Sequence, residues 1–154
     1  GITILSKQAR LTYGGLEITL VDTPGHVDFS TEAERALGIL DCAVLVISGP
    51  GGIQSHTITL WRLLERYQIP TFIFVNKTDL PGVDREAIME ALGNGLSQGC
   101  VDFGLDRDSL NEKAAMVSEA VLEEYLETLT LSDGRLRQLI AGRLLFPCYF
   151  GSAL

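Results

Sequence analysis

Asp22-Thr23-Pro24-Gly25-His26, Asn76-Lys77-Thr78-Asp79 and Gly151-Ser152-Ala153 are the runs in this chain whose residue types and spacing can do chemistry. A carboxylate at the end of a strand, as Asp22 would be, can hold a water ligand of Mg²⁺, a hard cation that keeps much of its hydration. Gly25, three residues on, lets the backbone approach closely enough for its N–H to meet a phosphate oxygen. His26 can point at the same phosphate and orient a water for attack. In the second run, Asp79 can accept two hydrogen bonds, from the N1–H and the exocyclic amine of guanine, a donor pair that adenine does not offer. A site built on such partners rejects a ligand lacking them by about 10⁴-fold or more. Asn76 can bond the base edge or tie loops together, and the Lys77 stem can lie along the flat face of the base. Gly151-Ser152-Ala153 is a small turn that brings a backbone N–H to a carbonyl oxygen. Near the start, the Thr3 hydroxyl of Gly1-Ile2-Thr3-Ile4 can ligate Mg²⁺ directly.

Each run has a plainer reading. An aspartate before Pro-Gly is most often a turn, N-K-x-D is short enough to arise by chance, Gly-Ser-Ala is an ordinary loop, and Thr3 can simply begin a strand. Position and order are what raise them above that level.

The elements that must position these residues follow from periodicity. Leu16 to Val21 is apolar and β-branched after a Gly14-Gly15 turn, with Thr3 to Tyr13 as its hairpin partner. Ala43 to Ser48 and Thr71 to Val75 are short apolar runs that read as parallel strands buried on both faces. Helical patterns cover Thr31 to Leu40 and Thr57 to Tyr67, the second with Leu60, Trp61, Leu63, Leu64 and Tyr67 on an apolar face. The alternation predicts an α/β fold with a mostly parallel sheet, whose ligands bind at the loops leaving the strands' carboxyl ends. Each of the three runs directly follows a strand.

Beyond Pro81 the spacing predicts a helix over Asp84 to Leu96, an irregular stretch from Ser97 to Asp108, and one long helix from Asn111 to Leu129. The last uses Ala114, Val117, Val121, Leu122, Tyr125 and Leu126. Ser132 caps a further helix from Asp133 to Leu144, and Phe146 to Phe150 returns to strand.

Composition bounds the rest. One domain of 154 residues with 46% apolar and 21% charged residues can bury a core. A net charge of −8 gives no general attraction to DNA or RNA. No apolar run is long enough to cross a membrane, and no basic-then-apolar pattern in these residues points to secretion. Cys42, Cys100 and Cys148 show no metal-ligand spacing and suit reduced thiols in a cytoplasmic setting.

Taken in order, G-I-T-I at 1–4, D-T-P-G-H-V-D-F at 22–29, S-G-P-G-G-I-Q at 48–54, I-P-T-F-I-F-V-N-K-T-D at 69–79 and F-G-S-A at 150–153 resemble the GTPase domain of translation factors. Within that group the chain is most similar to elongation factor G and the tetracycline-resistance ribosomal protection proteins. The likeness is dense to about Asp84 and thin from there to Leu145. It implies a P-loop GTPase-type three-layer fold, GTP/GDP and Mg²⁺ as ligands, and GTP hydrolysis coupled to the ribosome at the large-subunit factor-binding site. Thr3 and Asp22 would serve the metal. Asp22, Thr23, Pro24, Gly25 and His26 would form the phosphate-sensing switch, with His26 positioning the attacking water. Asn76, Lys77, Asp79, Ser152 and Ala153 would hold the guanine. The segment at about 84–145 would be a helical insertion or extension.

Two departures accompany the likeness. Leu154 stands where the family often has lysine after Ser-Ala, which puts base stacking on that side in doubt. No G-x-x-x-x-G-K-[ST] run occurs in the chain, and Gly49-Pro50-Gly51-Gly52 lacks the following Lys-Ser/Thr. In the family that loop, with the first strand and helix, would precede Gly1, and it supplies most of the grip on the phosphates. The expectation is a domain truncated at its N-terminus that binds GTP weakly or not at all and tends to self-associate through exposed edges. The competing readings are a G-domain-like interaction module without catalysis and an unrelated α/β nucleotide enzyme.

Overall fold

The computed structural model describes residues 7–22 and 37–152. Thr3, Thr23, Pro24, Gly25, His26 and Ala153 lie outside the described residues, as does most of the helix expected over 31–40. The chain divides into two compact units, 1–40 and 41–154.

In the first unit β1 (Lys7–Tyr13) and β2 (Leu16–Asp22) form an antiparallel hairpin in register from Lys7↔Asp22 to Tyr13↔Leu16. The two-residue turn needs left-handed backbone at both positions. Gly14 at φ +57° and Gly15 at φ +81° supply it without steric cost.

The second unit is a four-stranded parallel sheet with five helices. Its strands are β3 (Ala43–Ser48), β4 (Thr71–Asn76), β5 (Cys100–Asp102) and β6 (Phe146–Phe150), in spatial order β3-β4-β6-β5. The helices are α1 (Ser55–Arg66), α2 (Arg85–Gly95), α3 (Arg107–Ala115), α4 (Glu119–Thr128) and α5 (Asp133–Ala141). Alternation along each strand sorts the side chains by face. Leu45, Ile47, Ile73, Val75, Cys100, Phe146 and Cys148 meet Trp61 of α1 and Leu92 of α2 in one core. Val101, between Cys100 and Asp102, belongs instead to a second core built by α3, α4 and α5 through Leu110, Ala114, Val121, Leu136 and Leu139. Pairing with β6 and burial of all three residues keep β5 in the sheet although it is only three residues long.

Three expectations change. Residues 97–108 are not wholly irregular, since they contain β5 and the start of α3. The single helix expected over 111–129 is two helices, α3 and α4, separated at Met116 to Ser118. Ser118 ends the continuity because its hydroxyl caps α4, accepting from Val121 N–H at 3.4 Å. The apolar period conceals this break because residues on both sides of it face the same core. Finally, β3 is not buried on both faces: Val44 and Val46 are each 60% exposed.

At the amino ends of β4 and β6 an arginine clasp joins distant segments. Arg143 donates to Ile69 O and, at 2.8 Å, to Thr71 Oγ1, while its guanidinium lies over the Trp61 and Phe146 rings. Burial lowers its pKa, partly opposed by the charge of Glu65. Cys42 is exposed, Cys100 and Cys148 are buried, and all three are free thiols. Among the described residues no helix is long and apolar enough to cross a membrane.

Candidate functional site at the carboxyl ends of the parallel strands

The loop after β4 carries Asn76, Lys77, Thr78 and Asp79, and the loop after β6 carries Gly151 and Ser152. Sheet order makes these loops neighbours, because β6 lies directly beside β4 in the register Ile73↔Cys148 to Val75↔Phe150. They are then hydrogen-bonded to each other. Gly151 N–H donates to Val75 O at 3.0 Å, and Thr78 N–H donates to Gly151 O at 3.3 Å. On the opposite side of β4, Gly49 N–H donates to Asn76 O at 2.8 Å.

The first of these turns has a strained start. Lys77 takes φ +61°, the left-handed region that costs a non-glycine residue about 1 kcal/mol or more. Its compensation is local: Asn76 Oδ1 accepts the Lys77 N–H at 2.8 Å, and Leu80 N–H donates to Lys77 O at 3.3 Å. The Lys77 and Asp79 side chains are exposed. Two glycines make the close packing possible. A Cβ on Gly49 would lie 3.2 Å from Asn76 O and 3.3 Å from Val83 Cγ1, and one on Gly151 would lie 3.0 Å from Phe74 Cζ.

Of the expected site residues, then, Asn76, Lys77, Asp79 and Ser152 are gathered at one rim. Asp22 ends β2 in the other unit and is exposed. The remaining six lie outside the described residues. The residue types at the rim fit a guanine: Asp79 presents an exposed carboxylate with two acceptor oxygens, Lys77 offers an aliphatic stem, and the turn that begins at Gly151 ends at exposed Ser152. For Mg²⁺ the fit rests on Asp22 alone, an exposed carboxylate suited to holding a water ligand. An open cleft of about 290 Å³, lined by residues such as Met89, Asn94, Gln98 and Lys113, shares no residue with this rim.

Periodicity and motif spacing do not disclose a set of residues beside the rim. Arg85, the first residue of α2, donates from Nε and Nη2 to the two carboxylate oxygens of Asp102, the last residue of β5, with Nη2–Oδ1 at 2.5 Å. Gly104 N–H adds a bond to Oδ1 at 2.8 Å. Arg85 also lies over the Phe150 ring, 4.5 Å from its centroid. Burial pushes the Asp102 carboxyl pKa up, but the hydrogen bonds from Arg85 and Gly104 and the charges of Arg85 and Lys113 outweigh it, and the net direction is down. The bond to Asp102 raises the pKa of Arg85. A sequence signal existed in the lone acidic residue of Cys100-Val101-Asp102, but a three-residue strand is too short for periodicity to mark it.

Comparison with known proteins agrees with the geometry. The elongation factor Tu GTP binding domain family matches residues 1–154. Elongation factor G of Rhodopirellula baltica is 50% identical over 92 residues, covering 60% of this chain and 13% of that protein. The oxytetracycline resistance protein of Streptomyces rimosus is 35% identical over 180 aligned positions, covering all of this chain and 27% of that protein. A crystal structure of a protein from Thermus thermophilus superposes with a TM-score of 0.79 at 22% identity, over 98% of this chain and 30% of that one, which establishes a shared fold. The chain thus spans less than a third of the length of each of these relatives. With a family match running from its first residue to its last, the chain belongs to the elongation factor Tu GTP binding domain family.

Proposed function

We propose that this chain is the guanine-reading part of a ribosome-associated translational GTPase, either elongation factor G-like or a ribosomal protection protein. The observation that carries the reading is the hydrogen bond from Thr78 N–H to Gly151 O, which makes one rim of two turns more than seventy residues apart in sequence. Asp79 accepts from N1–H and the exocyclic amine of guanine. Lys77 lies along the base, Asn76 holds the turn, and the backbone at Ser152 and Ala153 donates to the 6-oxo group. Thr3 and Asp22 hold Mg²⁺, directly and through water, and the ion when bound offsets phosphate charge. Thr23, Pro24 and Gly25 form the turn that approaches the terminal phosphate. His26 orients the attacking water when the full-length protein engages the large ribosomal subunit in the cytoplasm. Residues 84–145 form a helical extension of the nucleotide-binding fold. The 154 residues contain no G-x-x-x-x-G-K-[ST] run, so by themselves they bind GTP weakly and are inactive in hydrolysis.

The test is Asp79→Asn in the full-length protein. An amide donates where the carboxylate accepted, so guanine affinity should fall by roughly 10²-fold or more, and xanthine, whose 2-oxo group accepts from the amide, should become the preferred base. Unchanged base preference in a nucleotide competition titration would remove Asp79 from its assigned role.

A further inference from the structure

The Gly151-Ser152 turn is held from three sides. Thr78 N–H binds Gly151 O from the neighbouring loop. Phe74 packs against it closely enough that a Cβ on Gly151 would lie 3.0 Å from its ring and push it aside. On the third side, Phe150, the residue immediately before the turn, carries the Arg85 guanidinium against its ring. That guanidinium is fixed in turn by both oxygens of Asp102, whose side chain is only 6% exposed while that of Arg85 is 49% exposed. The backbone at Gly104 closes over the pair so tightly that a Cβ there would overlap Arg85 Nη2.

We propose that Arg85 and Asp102 are positioning residues that set guanine selectivity by fixing Phe150, and through it the turn that meets the 6-oxo group. The inference rests on the guanine-binding reading above. A forked guanidinium on a carboxylate has one geometry, unlike a lysine ammonium, which pivots about a point. A guanidinium held over a ring attracts the ring's face and so favours one placement of it. The pair also spans the elements that must agree. Arg85 begins the helix that follows the Asp79 loop, Asp102 ends β5, and Phe150 ends β6. Asp84, capping α2 by accepting from Glu86 N–H at 2.9 Å and Ala87 N–H at 3.3 Å, holds Arg85 at the first helical position. An ion pair with one partner half exposed adds little to stability, so its use here is in geometry.

The experiment compares GDP with 6-thio-GDP on the full-length protein. The thio nucleotide keeps the N1–H and amine that Asp79 reads and changes only the atom that faces the turn. The wild type should favour GDP. Arg85→Met keeps an apolar stem over Phe150 and loses the fork. It should weaken GDP by roughly tenfold while 6-thio-GDP changes by less than about threefold, so that the preference collapses. Arg85→Lys should restore charge without restoring the preference. If Arg85→Met does not fold, Phe150→Leu leaves the ion pair and removes the ring, and the same collapse is expected. Equal weakening of both nucleotides, or an intact preference, overturns the proposal. A wild type with no preference for guanine over adenine nucleotides would instead overturn the guanine-binding reading itself.

Discussion

Ile73→Ala is the sharpest test of how the sheet positions the rim. Ile73 is fully buried at the centre of β4, paired with Leu45 on one side and Cys148 on the other. The substitution removes three buried carbons, about 2.4 kcal/mol at roughly 0.8 kcal/mol each. The cavity left in a core that cannot fully collapse brings the loss to about 3–4 kcal/mol. At about 2–4 °C per kcal/mol for a chain of this size, the melting temperature should fall by roughly 10 °C. The control is Val44→Ala on the adjacent strand, where 60% exposure leaves less than about 1 kcal/mol to lose. Thermal unfolding of the 154-residue chain followed by circular dichroism at low micromolar concentration reads both. Equal losses in the two variants, or a fall of under about 2 °C for Ile73→Ala, would refute the placement of Ile73 in the closed core and of Val44 on an open face of β3.

Other outcomes follow from the same geometry. Because the Asp102 pKa is lowered on folding, the stability it contributes is present above its unfolded value near 4 and is lost as pH falls through the folded value. Acid titration of the unfolding midpoint should therefore be flatter below about pH 4 in Asp102→Asn than in the wild type, and parallel curves would contradict the pairing with Arg85. Exposed Val44 and Val46 should drive self-association of the isolated chain. Val44→Lys with Val46→Lys should shift sedimentation toward monomer, and an unchanged distribution would exclude that face. His26→Ala in the full-length protein should slow ribosome-stimulated GTP hydrolysis by roughly 10²-fold or more, at the general acid–base scale, with nucleotide affinity nearly unchanged. Equal losses in both measurements would argue against a water-positioning role.

The elements that the sequence disclosed are those whose local pattern is strong. Ala43–Ser48 and Phe146–Phe150 are strands with the expected limits, and Asp84 and Ser132 cap helices as their types require. Asn76-Lys77-Thr78-Asp79 was legible because function concentrated unusual residues just past an apolar strand. Cys100–Asp102 was not legible as a strand, since burial and pairing with β6 sustain it and neither is a local property.

The sequence by itself determined the family, the α/β class and the residue types at the rim, because motif chemistry and strand propensity reside in contiguous residues. Tertiary structure alone decided that β6 inserts between β4 and β5, and therefore that Thr78 meets Gly151. It also decided that Arg85, Asp102 and Phe150 form one brace although 17 residues separate the first two. Contacts of that kind depend on strand order and on which face each side chain takes, and both are settled by burial across the whole sheet rather than by any neighbour in the chain.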